Sequence, residues 1–170
     1  MPRLRGVSAI DDAERLESID ELVEELAEAA VPIIVEGKRD TKALRSLGIA
    51  GEIIELNQGV GIVEFCETVA RTHRKVILLT DWDAKGGKLF RALAELFKSL
   101  GVKVDGDYRR ELARLAKKGS KDVEGVPGFV LWLVEQGESG LNASIEYRKY
   151  VVKRRERRLA HENASMKYPE

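Results

Sequence analysis

Short β-branched runs alternate along most of this chain with stretches in which apolar residues recur every three or four positions. The runs VPIIV at 31–35, EIIEL at 52–56 and KVILLT at 75–80 have the length and composition of buried strands. A weaker run, VKVD, follows at 102–105. Because an amphipathic segment follows each run, the pattern predicts an α/β fold with a four-stranded parallel sheet, right-handed crossovers and helices on its faces.

Helices are predicted before the first strand and after each strand. Ser18 and Glu21 form a capping-box pattern ahead of apolar residues at helical spacing, which predicts a helix over about 18–29. After the first strand, Asp40 or Thr41 is expected to cap the next helix. Further helices are predicted after the turn NQG at 57–59, after the loop DWDAKGG at 81–87, and around 107–117.

The alternation weakens after Gly119. SKDVEGVPG at 120–128 is typical of a loop, and FVLWLVEQ at 129–136 is either a short helix or strand of the core or an apolar contact surface of a homo-oligomer. A long polar helix is predicted over 141–160. The expected organisation is an N-terminal helical extension (1–29), one α/β domain (30–125) and a C-terminal helical extension that ends in a basic segment (126–170).

Cysteine and histidine usage restricts the chemistry available to the chain. Cys66 is the single cysteine and there are two histidines, which excludes an intrachain disulfide and a cysteine-rich or histidine-rich metal site. Any metal would therefore be held by oxygen. The N-terminal sequence lacks the apolar stretch of a signal peptide, and no apolar run approaches the roughly 18 residues of a membrane span, so we expect a cytoplasmic protein without a membrane partner.

The formal net charge is +0, but the charges are segregated. Residues 11–28 are strongly acidic and residues 148–158 are strongly basic. The basic segment could lie along a phosphate backbone, or its arginines could pair with the acidic helix. Its candidate nucleic-acid-binding residues are Arg154, Arg155, Arg157 and Arg158.

Three acidic residues stand where strands are predicted to end. Glu36 follows the first strand, and Asp81 and Asp83 follow the third. The ligand site of an open parallel sheet lies beyond the carboxyl ends of its strands, so the three would meet if the two strands are neighbours. Clustered carboxylates favour Mg²⁺, or alternatively Mn²⁺, over softer metals. A turn or helix cap is the competing interpretation of the aspartate pair.

The start of the helix after DWD is a candidate phosphate site. The helix is expected to begin at Gly86 and Gly87, where free backbone amides and the positive end of the helix dipole favour a phosphate, and Lys85 and Lys88 add positive charge. Trp82 is more readily interpreted as a packing residue of the loop than as a base-stacking residue.

Together the segments IIVEGKRDTKALRSLG, IIELNQG and VILLTDWDAKGGKLFRAL resemble the Toprim domain of topoisomerases, bacterial-type primases, recombination proteins and small maturation nucleases. The resemblance covers about residues 30–125 and depends on a glutamate after the first strand and on D-x-D-x-x-G after the third. The small size and the V-E-G-K-x-D-T segment are most similar to the ribonuclease that matures 5S ribosomal RNA, and the whole chain resembles small archaeal Toprim proteins.

The resemblance implies a Toprim (Rossmann-like) fold and a bound divalent cation. Asp81 and Asp83 would hold Mg²⁺, and Glu36 would act in acid–base chemistry or join the metal site. Lys38 would neutralise phosphate together with Lys85 and Lys88. Residues expected to shape the pocket are Gly37, Asn57 and Gly59.

These features favour a magnesium-dependent protein that processes nucleic acid, with RNA favoured over DNA, and specifically a ribonuclease acting on structured RNA such as ribosomal precursor. A non-catalytic, metal-dependent DNA- or RNA-binding module is the main alternative. A phosphatase of the haloacid dehalogenase type is less consistent, because position 85 is Lys and two β-α units precede the D-x-D. A receiver-like phosphoacceptor role for Asp81 leaves Asp83 without a function.

Overall fold

The computed structural model of this protein describes residues 11–137 and, beyond them, residues 149, 152–153, 156–157, 159–160 and 163. Its strands are β1 (Ile33–Val35), β2 (Ile53–Glu55), β3 (Lys75–Leu78) and β4 (Lys103–Asp105). Its helices are α1 (Asp12–Glu28), α2 (Lys38–Ser46), α3 (Ile62–Thr72), α4 (Ala84–Ser99), α5 (Asp107–Ala116) and α6 (Val126–Gly137).

The four strands form one parallel sheet in the order β2-β1-β3-β4, which confirms the predicted four-stranded parallel sheet. Ile33 of β1 is in register with Ile53 of β2 on one side and with Ile77 of β3 on the other. β1 and β3 are therefore the two central strands, and the residues that follow them lie side by side at the carboxyl edge.

The sheet is covered on both faces, because successive residues of a strand point to opposite sides. Val35 and Ile77 face a core built with α1, α2, α5 and α6, whereas Ile34 and Leu78 face a second core built with α3 and α4. This two-sided burial accounts for the continuous apolar runs of β1 and β3 in the sequence.

Helix α1 begins earlier than predicted. It starts at Asp12 rather than near Ser18, because Asp11 is extended and its Oδ1 accepts the Glu14 backbone N–H at 2.8 Å. Ser18 lies inside the helix and does not cap it. The predicted apolar stripe is confirmed, since Ile19 and Val23 are buried against α5 and α6.

Helix α2 also begins earlier than expected, at Lys38, so neither Asp40 nor Thr41 is its N-cap. Gly37 occupies the N-cap position, and Asp40 in the first turn accepts the Gly37 N–H at 3.0 Å. Thr41 instead donates its hydroxyl to Glu55 Oε1 at 2.8 Å, which ties α2 to the end of β2.

The segment FVLWLVEQ is helical and forms most of α6, which begins at Val126, so the predicted loop over 120–128 is wrong for its last three residues. Phe129, Val130 and Leu133 are buried in the α1 core, whereas Trp132 remains 37% exposed. Of the predicted helix over 141–160, the described positions are helical, and the rest of that prediction lies outside the described residues. Across the part of the chain that is described, no helix combines the length and the apolar character needed to cross a membrane.

Candidate functional site

The site lies between β1 and β3, where the strand order of the parallel sheet changes direction. The connection after β1 runs through α2 to β2 on one side, and the connection after β3 runs through α4 to β4 on the other. α2 and α4 pack on opposite faces, so a crevice opens between the carboxyl ends of β1 and β3. Open α/β sheets bind their ligands at this kind of position.

Glu36 and Asp81 meet in this crevice. The β1–β3 ladder includes a bond from the Leu79 N–H to the Ile34 carbonyl at 2.9 Å, but the Glu36 carbonyl turns towards β2 and accepts the Asn57 N–H at 3.0 Å. The Glu36 side chain supplies the missing acceptor, because its Oε1 receives the Asp81 N–H at 3.1 Å. Glu36 therefore joins the ends of the two central strands.

Asp81 is a half-buried carboxylate with an unusual proton affinity. Its Oδ1 accepts the Val123 N–H at 3.1 Å from the loop before α6. Burial, reinforced by the negative charges of Glu36, Asp40 and Asp122, raises the pKa of Asp81 from 3.8 to about 6, although the bond from Val123 opposes the shift. A proton or a cation at this position would relieve the repulsion.

Asp83 acts as a helix cap. Its Oδ1 accepts the Gly86 N–H at 2.7 Å at the N-terminus of α4, as the competing interpretation of the aspartate pair expected. Asp83 is exposed, and among the described residues no three His, Cys, Asp or Glu side chains are grouped closely enough to hold a metal ion. The structure thus brings Glu36 and Asp81 together and directs one oxygen of Asp83 to the helix. The predicted helix start at Gly86 is wrong, because α4 begins at Ala84, and the Gly86 amide is not free for phosphate, because Asp83 accepts it.

Two further acids, Asp40 and Asp122, add negative charge near Asp81, although the sequence did not single them out as site residues. Asp40 is 7% exposed, and burial together with the charge of Glu36 raises its pKa, against the bond from the Gly37 N–H. Asp122 accepts the Gly125 N–H at 2.8 Å inside the loop before α6. Sequence spacing could not show that the first turn of α2 and the loop before α6 both approach Asp81.

Gly86 explains the spacing of the D-x-D-x-x-G segment. A Cβ at this buried position would lie 1.9 Å from the Asp81 carbonyl oxygen, so the first turn of α4 packs directly on the backbone of Asp81. The Thr80 hydroxyl donates to the Gly86 carbonyl at 3.0 Å and closes the same turn. The absence of a side chain at Gly86 therefore lets the start of α4 pack on the Asp81 backbone.

Arg109 is a positioning residue that sequence reasoning missed. From α5 it donates Nε to the Thr80 carbonyl at 3.0 Å and Nη2 to the Asp81 carbonyl at 2.7 Å. Its guanidinium lies 5.1 Å from the centre of the Phe90 ring. Burial lowers the pKa of Arg109, while the negative charges of Asp81, Glu36 and Asp83 oppose that shift. The Arg109 guanidinium thus fixes the backbone of the loop that carries Asp81 and Asp83.

Trp82 packs as expected and also anchors a second loop. Its ring lies against the core that contains α1 and α6. Its Nε1 donates to the Ser120 carbonyl at 2.9 Å, and its backbone N–H donates to the Lys121 carbonyl at 3.3 Å. Together with the Val123–Asp81 bond, these contacts fix the loop over 118–125 beside the acidic crevice.

The predicted pocket-shaping residues border Glu36. A Cβ on Gly37 would lie 3.6 Å from the Asn57 side-chain nitrogen, so the two turns are in contact. Gly59 has a φ of +77°, a conformation that L side chains rarely adopt, and the turn after β2 depends on it. The predicted phosphate-binding lysines, Lys38, Lys85 and Lys88, are all exposed, at or near the first turns of α2 and α4.

The basic C-terminal segment is described in part. Arg157 forms an ion pair with Glu24 of α1, so this one arginine pairs with the acidic helix as the second interpretation of the basic segment expected. Arg154, Arg155 and Arg158 lie outside the described residues.

Curated relatives give the chain its family. A UPF0292 protein of Methanosarcina barkeri is 41% identical over 119 residues, which cover 68% of this chain and 82% of the relative. The chain belongs to the UPF0292 family. UPF0292 proteins of Thermococcus onnurineus and Thermococcus gammatolerans are 37% and 39% identical over 129 residues, covering 76% of this chain and 96% of each relative.

A solved structure of a protein from Aquifex aeolicus is also similar to this UPF0292 chain. It matches with a TM-score of 0.54 and 32% sequence identity, over 62% of this chain and 95% of the other. No protein-family model matches the chain. The likeness supports the α/β architecture with its parallel sheet.

Proposed function

We propose that this protein is a magnesium-dependent, nucleic-acid-processing protein of the Toprim type, and that it hydrolyses phosphodiester bonds in structured RNA, such as ribosomal precursor RNA. The observation that carries the proposal is the contact between Glu36 and Asp81 at the switch point of a parallel sheet. Two acids joined at this position, beside the N-terminus of α4, are suited to a cation next to a phosphate.

The donor atoms fit a hard cation. Within the described residues, Asp81 Oδ2 and Asp83 Oδ2 accept no hydrogen bond, so each aspartate retains an oxygen for a ligand. The ligands offered are carboxylate oxygens, which Mg²⁺ and Mn²⁺ prefer. Burial and the neighbouring acids raise the pKa of Asp81, and a divalent ion would stabilise its ionised form. Glu36, Asp81 and Asp83 are the residues that would hold it, and their three carboxylates would have to move closer together when it binds.

The residues around the cation would each have a separate role in the reaction. When bound, the cation supplies Lewis-acid polarisation of the scissile phosphate. Glu36 would hold or move the proton of the attacking water, and Asp81 would ionise when the cation binds. Lys38, Lys85 and Lys88 are exposed and would neutralise the neighbouring phosphates. Arg109 would keep the Asp81 backbone in place without touching the substrate.

A second candidate function is metal-dependent binding without cleavage. Asp83 already caps α4, and Glu36 already accepts a backbone N–H, so both acids have structural roles that a binding module would also need. In this alternative the cation would dock the phosphate backbone and no bond would break.

A nuclease assay separates the two candidates. Purified protein is incubated with labelled structured RNA and with duplex DNA, with and without Mg²⁺, alongside Asp81→Asn and Glu36→Gln. The proposal predicts Mg²⁺-dependent RNA cleavage that falls at least about 100-fold in both variants. Mg²⁺-dependent RNA binding without cleavage would favour the binding module. Cleavage that Asp81→Asn leaves unchanged would rule out this site as the catalytic centre.

A further inference from the structure

An aromatic pocket lies on the other side of the loop that contacts Asp81. It is a cavity of about 510 Å³ lined by Lys118, Gly119, Gly125, Gly128, Phe129 and Trp132. Trp132 is 37% exposed and stacks on the buried Phe129, with ring centres 5.8 Å apart and planes inclined by 12°. The Trp132 ring is therefore held by Phe129 on one side, and part of its surface is open to a ligand.

The glycines leave the space open. A Cβ at Gly119 would lie 2.2 Å from the Phe129 ring, so the loop backbone packs directly against that ring. A Cβ at Gly128 would meet nothing within 4 Å, so this wall of the pocket faces open space. A flat ligand could enter beside Trp132 without displacing the backbone.

One lysine lines the pocket and two more lie on the neighbouring segment. Lys117, Lys118 and Lys121 are exposed on the segment that leads into the loop. The Lys118 ammonium lies 5.2 Å from the centre of the Trp132 ring and also contacts Asp12 at 2.9 Å. Of the neighbouring acids, Asp122 is turned inward to the Gly125 N–H, and Glu124 lies 3.7 Å from the Arg39 guanidinium. Asp12 neutralises Lys118, so the positive charge offered to a ligand comes from Lys117 and Lys121, which form no ion pair within the described residues.

The same loop reaches the acidic site. Gly119 and Gly125 line the pocket, whereas the carbonyls of Ser120 and Lys121 receive both N–H groups of Trp82, and the Val123 N–H bonds Asp81. A ligand in the pocket would therefore lie across a single loop from the carboxylates. An exposed aromatic ring beside lysines is the usual arrangement for stacking unpaired bases while neutralising their phosphates.

We propose that the pocket beside Trp132 binds one nucleobase of a single-stranded nucleic acid, with the adjoining phosphates along Lys117, Lys118 and Lys121. This inference rests on the proposed function, because it assigns the protein a substrate with an unpaired segment next to the cleavage site. The phosphate contacts make the binding salt-dependent, and the stacking makes it tolerant of sequence.

The test measures binding separately from cleavage. Fluorescence anisotropy of a labelled oligouridylate is followed in EDTA with the full chain and with Trp132→Ala, Trp132→Phe, Gly128→Leu and Gly128→Ala. Trp132→Ala removes the ring and Gly128→Leu fills the cavity, so both are expected to weaken binding about 5- to 100-fold. Trp132→Phe and Gly128→Ala are the matched controls and should bind within about 3-fold of the unchanged protein. Thermal unfolding of each variant shows that the fold is retained.

The inference would be overturned if the unchanged protein did not bind the oligouridylate. It would also be overturned if Trp132→Ala and Gly128→Leu bound the oligouridylate normally. If these two variants bound RNA normally but altered sedimentation, the pocket would be a contact between copies of the chain. Binding that depends on Trp132 without Mg²⁺-dependent cleavage would refute the proposed nuclease function but support the base-binding pocket. Mg²⁺-dependent cleavage that does not depend on Trp132 would support the nuclease function but refute the base-binding pocket.

Discussion

Glu36 Oε1 accepts the backbone N–H of Asp81 at 3.1 Å across 45 residues of sequence, and this bond joins the two central strands where their ladder ends. The glutamate thus has two roles. Its oxygen completes the backbone hydrogen bonding, and, after burial, its charge contributes to the raised pKa of the Asp81 carboxyl group.

Substitution of Glu36 separates these two roles. Glu36→Gln keeps an acceptor for the Asp81 N–H but removes the charge, so the pKa of Asp81 should fall and the protein should be at least as stable as the unchanged chain at neutral pH. Glu36→Ala removes the acceptor as well and should cost about 1 kcal/mol of unfolding free energy. Urea denaturation and an NMR titration of the Asp81 carboxyl carbon measure the two effects. An Asp81 pKa that is unchanged in Glu36→Gln would contradict the assigned repulsion.

Asp81 makes stability depend on pH. Because its pKa rises from 3.8 to about 6 on folding, the folded state holds a proton that the unfolded state has released over that range. Its contribution to stability is therefore fully present below about pH 3.8 and is lost as the pH rises through about 6. Asp81→Asn keeps an acceptor for the Val123 N–H but cannot ionise.

Raising the pH from about 4 to about 7 should therefore destabilise the unchanged protein relative to Asp81→Asn. The measurement is the unfolding free energy of both proteins in urea at several pH values. Parallel curves would show that Asp81 titrates alike in the folded and unfolded states.

Gly86 and Gly87 form a matched pair. Gly86→Ala places a methyl group against the Asp81 carbonyl and should cost at least about 1–3 kcal/mol. Gly87→Ala places its Cβ 3.9 Å from Arg109 Nη2, an ordinary contact, and should leave the stability equal or slightly higher. Thermal unfolding of the two variants tests the contrast, and equal midpoints would mean that α4 does not pack on Asp81 as described.

Arg109 should be needed for the geometry of the acidic loop. Arg109→Lys keeps a positive charge but cannot donate in a fork to the carbonyls of Thr80 and Asp81, so a loss of about 1–3 kcal/mol is expected. Arg110→Lys is the control, because the Arg110 side chain is 70% exposed and pairs with Asp107 at the surface. If both variants unfold at the same denaturant concentration, Arg109 does not brace the loop.

The sheet and part of the site could be predicted because they depend on local patterns. Apolar runs marked the strands, and the rule that ligands bind at the carboxyl edge selected Glu36 and Asp81. The predicted start of α1 was wrong, because Ser18 and Asp11 are both residue types that cap helices. The extended backbone of Asp11, which the sequence does not show, makes Asp11 the N-cap. The predicted start of α2 failed for a similar reason, because a glycine with no capping side chain occupies the N-cap.

The remainder of the site depends on packing between distant segments. Arg109 reaches Asp81 from α5, 28 residues away, and Val123 reaches it across 42 residues. Neither residue type is distinctive in its own segment, so no motif could have identified them. Asp83 shows the converse, since its motif indicated a metal ligand while its immediate neighbours also made it a suitable helix cap.

Calorimetric titration with Mg²⁺ or Mn²⁺, in buffers of different ionisation enthalpy, tests the central claim that Asp81 and Glu36 form a cation site. Because the pKa of Asp81 is about 6, binding at that pH should release about half a proton per ion, and almost none at about pH 8. Asp81→Asn should abolish the proton release and weaken binding at least about 10-fold. The absence of saturable binding to the unchanged protein, or binding that Asp81→Asn leaves intact, would contradict the account.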